Sequence, residues 1–252
     1  MKPILALDFD GVINDSLDEC LISSYNAWQE IKNSNHWAYS NADIPQPIVD
    51  CFRANRYHAR NGAEFWLILM ASKLASDAIT AEAFDQLRQE HDPFLLEFEK
   101  IFFEVRSRYR AEDMERWLNL HTRYDQSIER YSDLLTAATC HIVTTKDLPS
   151  VKFFNEHWQL GIHEDNLWTR EMDLPKSEII KVIANKADCP TSQIHFVDDH
   201  PDQVANVAAT GANCYWASWG FQGALVNSMP EGIPFPALTK LADLFEYIPY
   251  SK

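Results

Sequence analysis

After Ala138 the chain settles into short apolar runs alternating with helix-length amphipathic segments, and one further run, Ile4-Leu-Ala-Leu7, stands alone at its beginning. Strands separated by helices cannot pair as hairpins. They need crossover connections, which predicts a parallel sheet with helices packed on its faces. The expected strands are residues 4–7, 141–144, 167–169, 194–197 and 213–216, and the expected helices are 151–158, 176–186, 203–210 and 239–247.

Between the lone first strand and this alternating part, residues 15–131 read as almost wholly helical. Cys20, Leu21, Ser24, Tyr25 and Trp28 keep helical spacing, and residues 65–74 form a strongly apolar helix. Thr80 can cap the next helix. Asp92-Pro93 reads as the start of another, followed by Phe94, Phe98, Ile101, Phe102 and Val105 at helical spacing. The expected organisation is an α/β core of residues 1–14 and 132–252 with a helical insertion over 15–131. Residues 220–237, rich in Pro and Gly, read as an irregular excursion.

The bulk numbers exclude several function classes. A net charge of −15 argues against a nucleic-acid or anionic-membrane partner held by bulk electrostatics. The longest apolar run, Phe65 to Ala71, is far short of a membrane span. Five scattered cysteines without a Cys-x-x-Cys pair are neither a disulfide framework nor a zinc site. Met1-Lys-Pro runs straight into the first strand, which leaves no room for a signal peptide, so the expected location is the cytoplasm.

Each expected core strand ends in polar chemistry. Asp8 and Asp10 follow the first, Thr144-Thr-Lys-Asp147 the second, and Asp198-Asp-His-Pro-Asp202 the fourth, while Lys176 opens the helix between the latter two. Asp8 and Asp10 taken alone could simply end a strand and make an Asp-Gly turn. Three polar endings on one edge of a parallel sheet make a site, because open α/β sheets bind ligands at the carboxyl ends of their strands. Clustered carboxylates there suit Mg²⁺. A carboxylate beside a metal can attack phosphorus, a hydroxyl and a lysine can hold phosphoryl oxygens, and a second carboxylate can move protons.

In order along the chain, Asp8-Phe-Asp-Gly-Val-Ile-Asn-Asp-Ser16, Thr144, Lys176 and Phe196-Val-Asp-Asp199 resemble the four motifs of the haloacid dehalogenase-like (HAD) superfamily, in the manner of its phosphoglycolate phosphatase and β-phosphoglucomutase branch. Gly211-Ala-Asn-Cys-Tyr-Trp-Ala-Ser-Trp-Gly-Phe221 resembles the strand and Trp-Gly turn that follow the fourth motif in such phosphatases. The resemblance implies a Rossmann-like core with an inserted helical cap, and a hydrolase acting on a small phosphorylated metabolite, with a sugar phosphomutase as the alternative and a non-catalytic binding protein on the same fold as a third reading. It implies Asp8 as nucleophile, Asp10 as general acid/base, and Thr144, Lys176 and Gly11 as phosphate-binding residues. It implies Mg²⁺ as cofactor, with Asp8, Asp10 and Asp199 as ligands and Asp198 as a further candidate.

Two departures matter. Gln203 falls where many relatives have an acid, which makes Asp202 a poor ligand candidate; and Thr145-Lys146-Asp147 stands where phosphoglycolate phosphatases often have Asn-Lys-Pro. In the helical block, Arg53, Arg56 and Arg60 would share a face if all three were helical; the favoured reading is a solvated face paired with carboxylates, the alternative a face that meets a substrate anion. Trp66, Phe94, Phe98 and Phe102 read as core of the insertion, Trp216 and Trp219 as packing residues, and His121 and His200 as ordinary surface or loop histidines.

Overall fold

The computed structural model describes residues 2–73, 78–221 and 235–248. The chain opens with β1 (Ile4–Leu7) and β2 (Asn14–Asp15), then runs through α1 (Leu17–Ile31), α2 (Gln46–Asn55), α3 (Phe65–Ala71), α4 (Ala81–Glu112) and α5 (Met114–Leu118). From β3 (Thr122–Arg123) it continues as α6 (Tyr131–Ala137), β4 (Thr139–Val143), α7 (Leu148–His157), β5 (Leu167–Trp168), α8 (Lys176–Lys186), β6 (Ile194–Asp198), α9 (Pro201–Ala208), β7 (Asn213–Ala217) and β8 (Ala237–Leu238). Its described residues fall into two compact units, one holding 2–15, 123–221 and 235–248 and the other 16–73 and 78–122. The divisions lie at 15/16 and 122/123, against the 14/15 and 131/132 expected from helical spacing alone.

In the first unit six strands form one sheet in the order β5-β4-β1-β6-β7-β8, with all its neighbouring pairs parallel. β1 is central because both its faces are apolar; Ile4 to Leu7 are all buried. Ile4, Ala6, Val143, Trp168, Ile194 and Phe196 join Ile179, Ile180 and Ile183 of α8 and Val204 and Val207 of α9 in one core cluster. β4 lies on one side of β1 and β6 on the other, so the chain reverses its direction of travel across the sheet at β1. That is the topological switch point where such sheets open a crevice at their carboxyl edge.

The second unit is a helical layer in which α1 and α3 pack on α4 and α2 packs on α3. Trp66 lies against Phe94 and Phe98, with ring centroids 4.7 and 5.4 Å apart, so the aromatic set is core. Two helices expected on either side of Asp92 are a single 32-residue helix, α4, that runs through Pro93. A proline inside a helix forfeits one backbone hydrogen bond and costs roughly 3 kcal/mol. Here that cost is offset by the buried face of Phe84, Leu87, Leu95, Phe98, Phe102, Val105 and Tyr109. The last expected helix is a six-residue 3₁₀ segment, Leu241–Glu246, and β8 had no alternating pattern to reveal it. Most of the Pro- and Gly-rich excursion over 220–237 lies outside the described residues. Among those residues no helix is long and apolar enough to cross a membrane.

Candidate active site

The site lies entirely in the first unit, where β1, β4 and β6 run side by side and end together. Asp8 is the residue after β1, its N–H donating to the Val197 carbonyl of β6 at 2.9 Å. The backbone then turns tightly. Ile13 and Asn14 donate to the Phe9 carbonyl, both at 2.9 Å, and Gly11 donates to the Asn14 carbonyl at 2.8 Å. Gly11 sits at φ +89, a left-handed conformation that glycine alone adopts without strain. A methyl group at Gly11 or Gly220 would overlap Asp199, so the two glycines let the β1 loop and the loop after β7 close on that carboxylate.

Lys176 is the centre of the charge arrangement. It is the first residue of α8 and is buried, with its ammonium 2.8 Å from Asp8 Oδ2 and 2.7 Å from Asp198 Oδ2. Asp198, the last residue of β6, is fully enclosed, and its other oxygen accepts the His200 N–H at 2.8 Å. Asp8 Oδ1 accepts the Phe9 N–H at 2.7 Å. Burial, with Asp198 adding to it, pushes the Asp8 carboxyl up to about 6, against the pull of Lys176 in the other direction. The two carboxylates hold the Lys176 ammonium above its ordinary range despite its burial.

Asp8, Asp198 and Asp199 each offer a carboxylate oxygen within 4.8 Å of the others. An all-oxygen, mostly buried set with one lysine against several carboxylates fits a hard divalent cation. Asp199 is positioned by its surroundings: its Oδ2 accepts the Phe221 N–H at 2.8 Å, and the Trp216 indole donates to its backbone carbonyl at 2.8 Å. The Trp219 indole donates to the Val12 carbonyl at 3.0 Å. These tryptophans pack, as expected, and in addition tie the loops that carry Gly11 and Asp199.

Asp10 stands apart from that cluster. Its carboxylate accepts from Asn14 Nδ2 at 2.6 Å and from the ammonium of Lys146 at 3.0 and 3.2 Å. Lys146, whose side chain is wholly enclosed, is the residue that sequence reasoning passed over. A signal was present, because it lies two positions beyond Thr144, in the bend that follows β4 at the same sheet edge. Thr144 is buried at the end of β4, and its hydroxyl accepts the Lys146 N–H at 3.2 Å. Asp202 is exposed at the start of α9, and His200 caps that helix by accepting the Asp202 N–H at 3.3 Å.

In the second unit the three arginines do not share a helix face. α2 ends at Asn55, Arg56 lies in a 3₁₀ turn (Arg56–His58), and Arg60 lies beyond it. Arg53 pairs with Asp18 at 3.0 Å, and Arg56 donates to the Ala59 carbonyl while its guanidinium lies over the Phe65 ring. His121 is a buried histidine rather than a surface one: its Nδ1 lies 3.0 Å from the Trp117 carbonyl and its Nε2 3.9 Å from Glu19.

No protein-family profile and no curated protein matches the chain. Solved structures do. A haloacid dehalogenase-like family hydrolase from Streptococcus pneumoniae superposes with a TM-score of 0.55 at 17% identity, covering 98% of both chains. A predicted phosphoglycolate phosphatase from Haemophilus somnus gives 0.59 at 16% identity, over 98% of this chain and 97% of that one. A HAD-superfamily hydrolase, subfamily IA, from Geobacter sulfurreducens gives 0.57 at 11% identity, over 98% and 97%. At such identities the likeness is one of fold. The chain has the α/β fold of the haloacid dehalogenase-like hydrolases.

Proposed function

We propose that the protein is a Mg²⁺-dependent phosphatase that hydrolyses a small phosphorylated metabolite through an aspartyl-phosphate on Asp8. The observation that carries this reading is Lys176, buried between Asp8 and Asp198 at 2.8 and 2.7 Å while Asp199 completes a carboxylate cluster at the sheet's switch point. The solved structures of like fold that are named as phosphatases agree with it.

In this reading the Asp8 carboxylate attacks phosphorus, forming an O–P bond as the leaving-group oxygen departs. Asp10 donates a proton to that oxygen and then removes one from the water that cleaves the acyl phosphate. Lys146 and Asn14 set the orientation from which Asp10 does so. Lys176 offsets charge on Asp8 and on the phosphoryl oxygens, and the Thr144 hydroxyl and the Gly11 loop line the phosphoryl position. Asp8, Asp198, Asp199 and the Asp10 carbonyl would hold Mg²⁺, which when bound supplies Lewis-acid neutralisation of the phosphoryl group. The helical unit, inserted between the first and second motifs, serves as the cap that selects the substrate.

The experiment is hydrolysis of a generic aryl phosphate and then of a panel of phosphorylated metabolites. Activity is expected with Mg²⁺, and its loss on chelation and in Asp8→Asn. No turnover of any compound in the presence of Mg²⁺ would overturn the proposal.

A further inference from the structure

A second polar concavity lies within the same unit, away from the carboxylates. It is a cavity of about 560 Å³ over the amino ends of β1 and β4, bounded by the last turn of α8. Volumes of this size hold small metabolites. Ile4 and Ile183 give it an apolar floor, and Lys2, His141, Trp168 and Lys186 supply its chemistry.

Three donors of this cavity, the His141 Nε2–H and the ammonium groups of Lys2 and Lys186, have no hydrogen-bond acceptor among the described residues. The Trp168 indole donates to His141 Nδ1 at 3.0 Å, which places the proton of the neutral imidazole on Nε2. Among the described residues Nε2 makes no hydrogen bond, and the ring is almost enclosed. The Lys186 ammonium rests over the Trp168 ring, 4.5 Å from its centroid, and among the described residues neither Lys186 nor Lys2 forms an ion pair. Lys186 is close enough to disfavour charge on His141, which burial already holds neutral. The one acid at the rim, Asp165, lies 3.4 Å from His163. The Asn166 amide is committed to the Cys140 carbonyl at 3.1 Å.

The geometry points to a binding site for a small organic phosphate monoester, held by Lys2, Lys186 and the His141 Nε2–H donor. Two ammonium groups match a dianion better than a single carboxylate, and a neutral N–H open to the cavity can donate to a phosphoryl oxygen without an added charge to desolvate. In a chain of net charge −15, two lysines without an ion-pair partner among the described residues, beside an imidazole with a free Nε2–H, are the local positive charge and donor that an anion needs.

Indole N–H resonances of ¹⁵N-labelled protein test this, with phenyl phosphate titrated in the presence of a chelator so that no turnover competes. The Trp168 resonance, identified by Trp168→Phe, should shift and saturate in the wild type and equally in Asp8→Asn. The Trp219 resonance reports separately on the catalytic edge. Lys186→Gln combined with Lys2→Gln should weaken binding at Trp168 by at least about tenfold, as expected for the loss of charge-assisted hydrogen bonds. Both lysines are surface positions, so the double variant folds. A Trp168 resonance that does not move, that moves without saturating, or that saturates unchanged in the double variant overturns the site. Dependence on Asp8 would assign the shift to the catalytic edge and overturn it as well. Because Asp8→Asn is inactive under the proposed function, its Trp168 titration stands or falls independently of that function.

Discussion

Each unit of the molecule buries a charge cluster, and the two are built differently. In the helical unit Arg106 of α4 makes two hydrogen bonds to Glu19 of α1, at 2.8 and 2.6 Å, and Ser23 donates to the same carboxylate at 2.7 Å. Arg106 and Glu19 form a one-to-one close pair among the described residues, and both are almost completely enclosed. In the α/β unit Lys176 faces Asp8 and Asp198 at once, with Asp199 within reach of both. The first cluster is balanced and ties helices together. The second is left with surplus negative charge beside a crevice, an arrangement that stability alone would select against. The proposed divalent cation would offset that charge.

The comparison breaks most decisively at Asp8. Asp8→Asn should lower aryl-phosphate turnover by at least about 10³-fold, since it removes the proposed nucleophile. It should not lower stability. An Asp8 carboxyl pushed up to about 6 from 3.8 is a group whose ionised form the fold disfavours at neutral pH. The neutral amide relieves that cost. Urea unfolding in a chelator at pH 7 should give a midpoint equal to or above the wild type's. A large drop would mean that the carboxylate cluster is structural, like the one in the helical unit.

The balanced pair should behave in the opposite way. Arg106→Met leaves Glu19 buried with its principal partner gone, and should cost about 3–5 kcal/mol of unfolding free energy. Adding Glu19→Met should recover part of that loss, because both charges then leave the interior while the Ser23 hydroxyl loses its acceptor. Denaturant curves of the two single variants and the double form the cycle. A double variant as unstable as Arg106→Met would show that the pair does more than neutralise itself.

The α/β unit was largely legible in the sequence because its strands are short apolar runs with polar ends, which parallel sheets demand. α8 starts and stops at Lys176 and Lys186 as its spacing predicted, and β6 extends its predicted run only by Asp198. The site's carboxylates were legible for the same reason: only a strand end can carry them next to β1. What escaped notice depended on tertiary contacts. Lys146 reads as a loop lysine until the fold brings Asp10 to within 3.0 Å of it, across 136 positions of sequence. Pro93 reads as a helix start because local rules cannot weigh the apolar face that carries α4 through it. The shared face proposed for Arg53, Arg56 and Arg60 failed because α2 stops at Asn55, where the Asn55 side chain donates to the Cys51 carbonyl at 2.8 Å.

A buried ionisable group that belongs to neither cluster, His141, refines the contrast. Among the described residues His141 has no carboxylate partner; burial, and Lys186 after it, lower its pKa from 6.5 to about 4. In the unfolded chain the imidazole takes up a proton near 6.5, and in the folded chain it resists until about 4. Its contribution to stability is therefore fully present above the unfolded value and is lost as the pH falls through that interval. The full effect is up to about 3 kcal/mol. Unfolding midpoints measured from pH 7 to pH 4.5 should fall more steeply for the wild type than for His141→Gln, which keeps an acceptor for the Trp168 indole but cannot titrate. Parallel curves would mean that His141 is protonated in the folded protein. A phosphate monoester bound at Nε2 should flatten the wild-type slope, because an anion there favours the imidazolium that burial opposes.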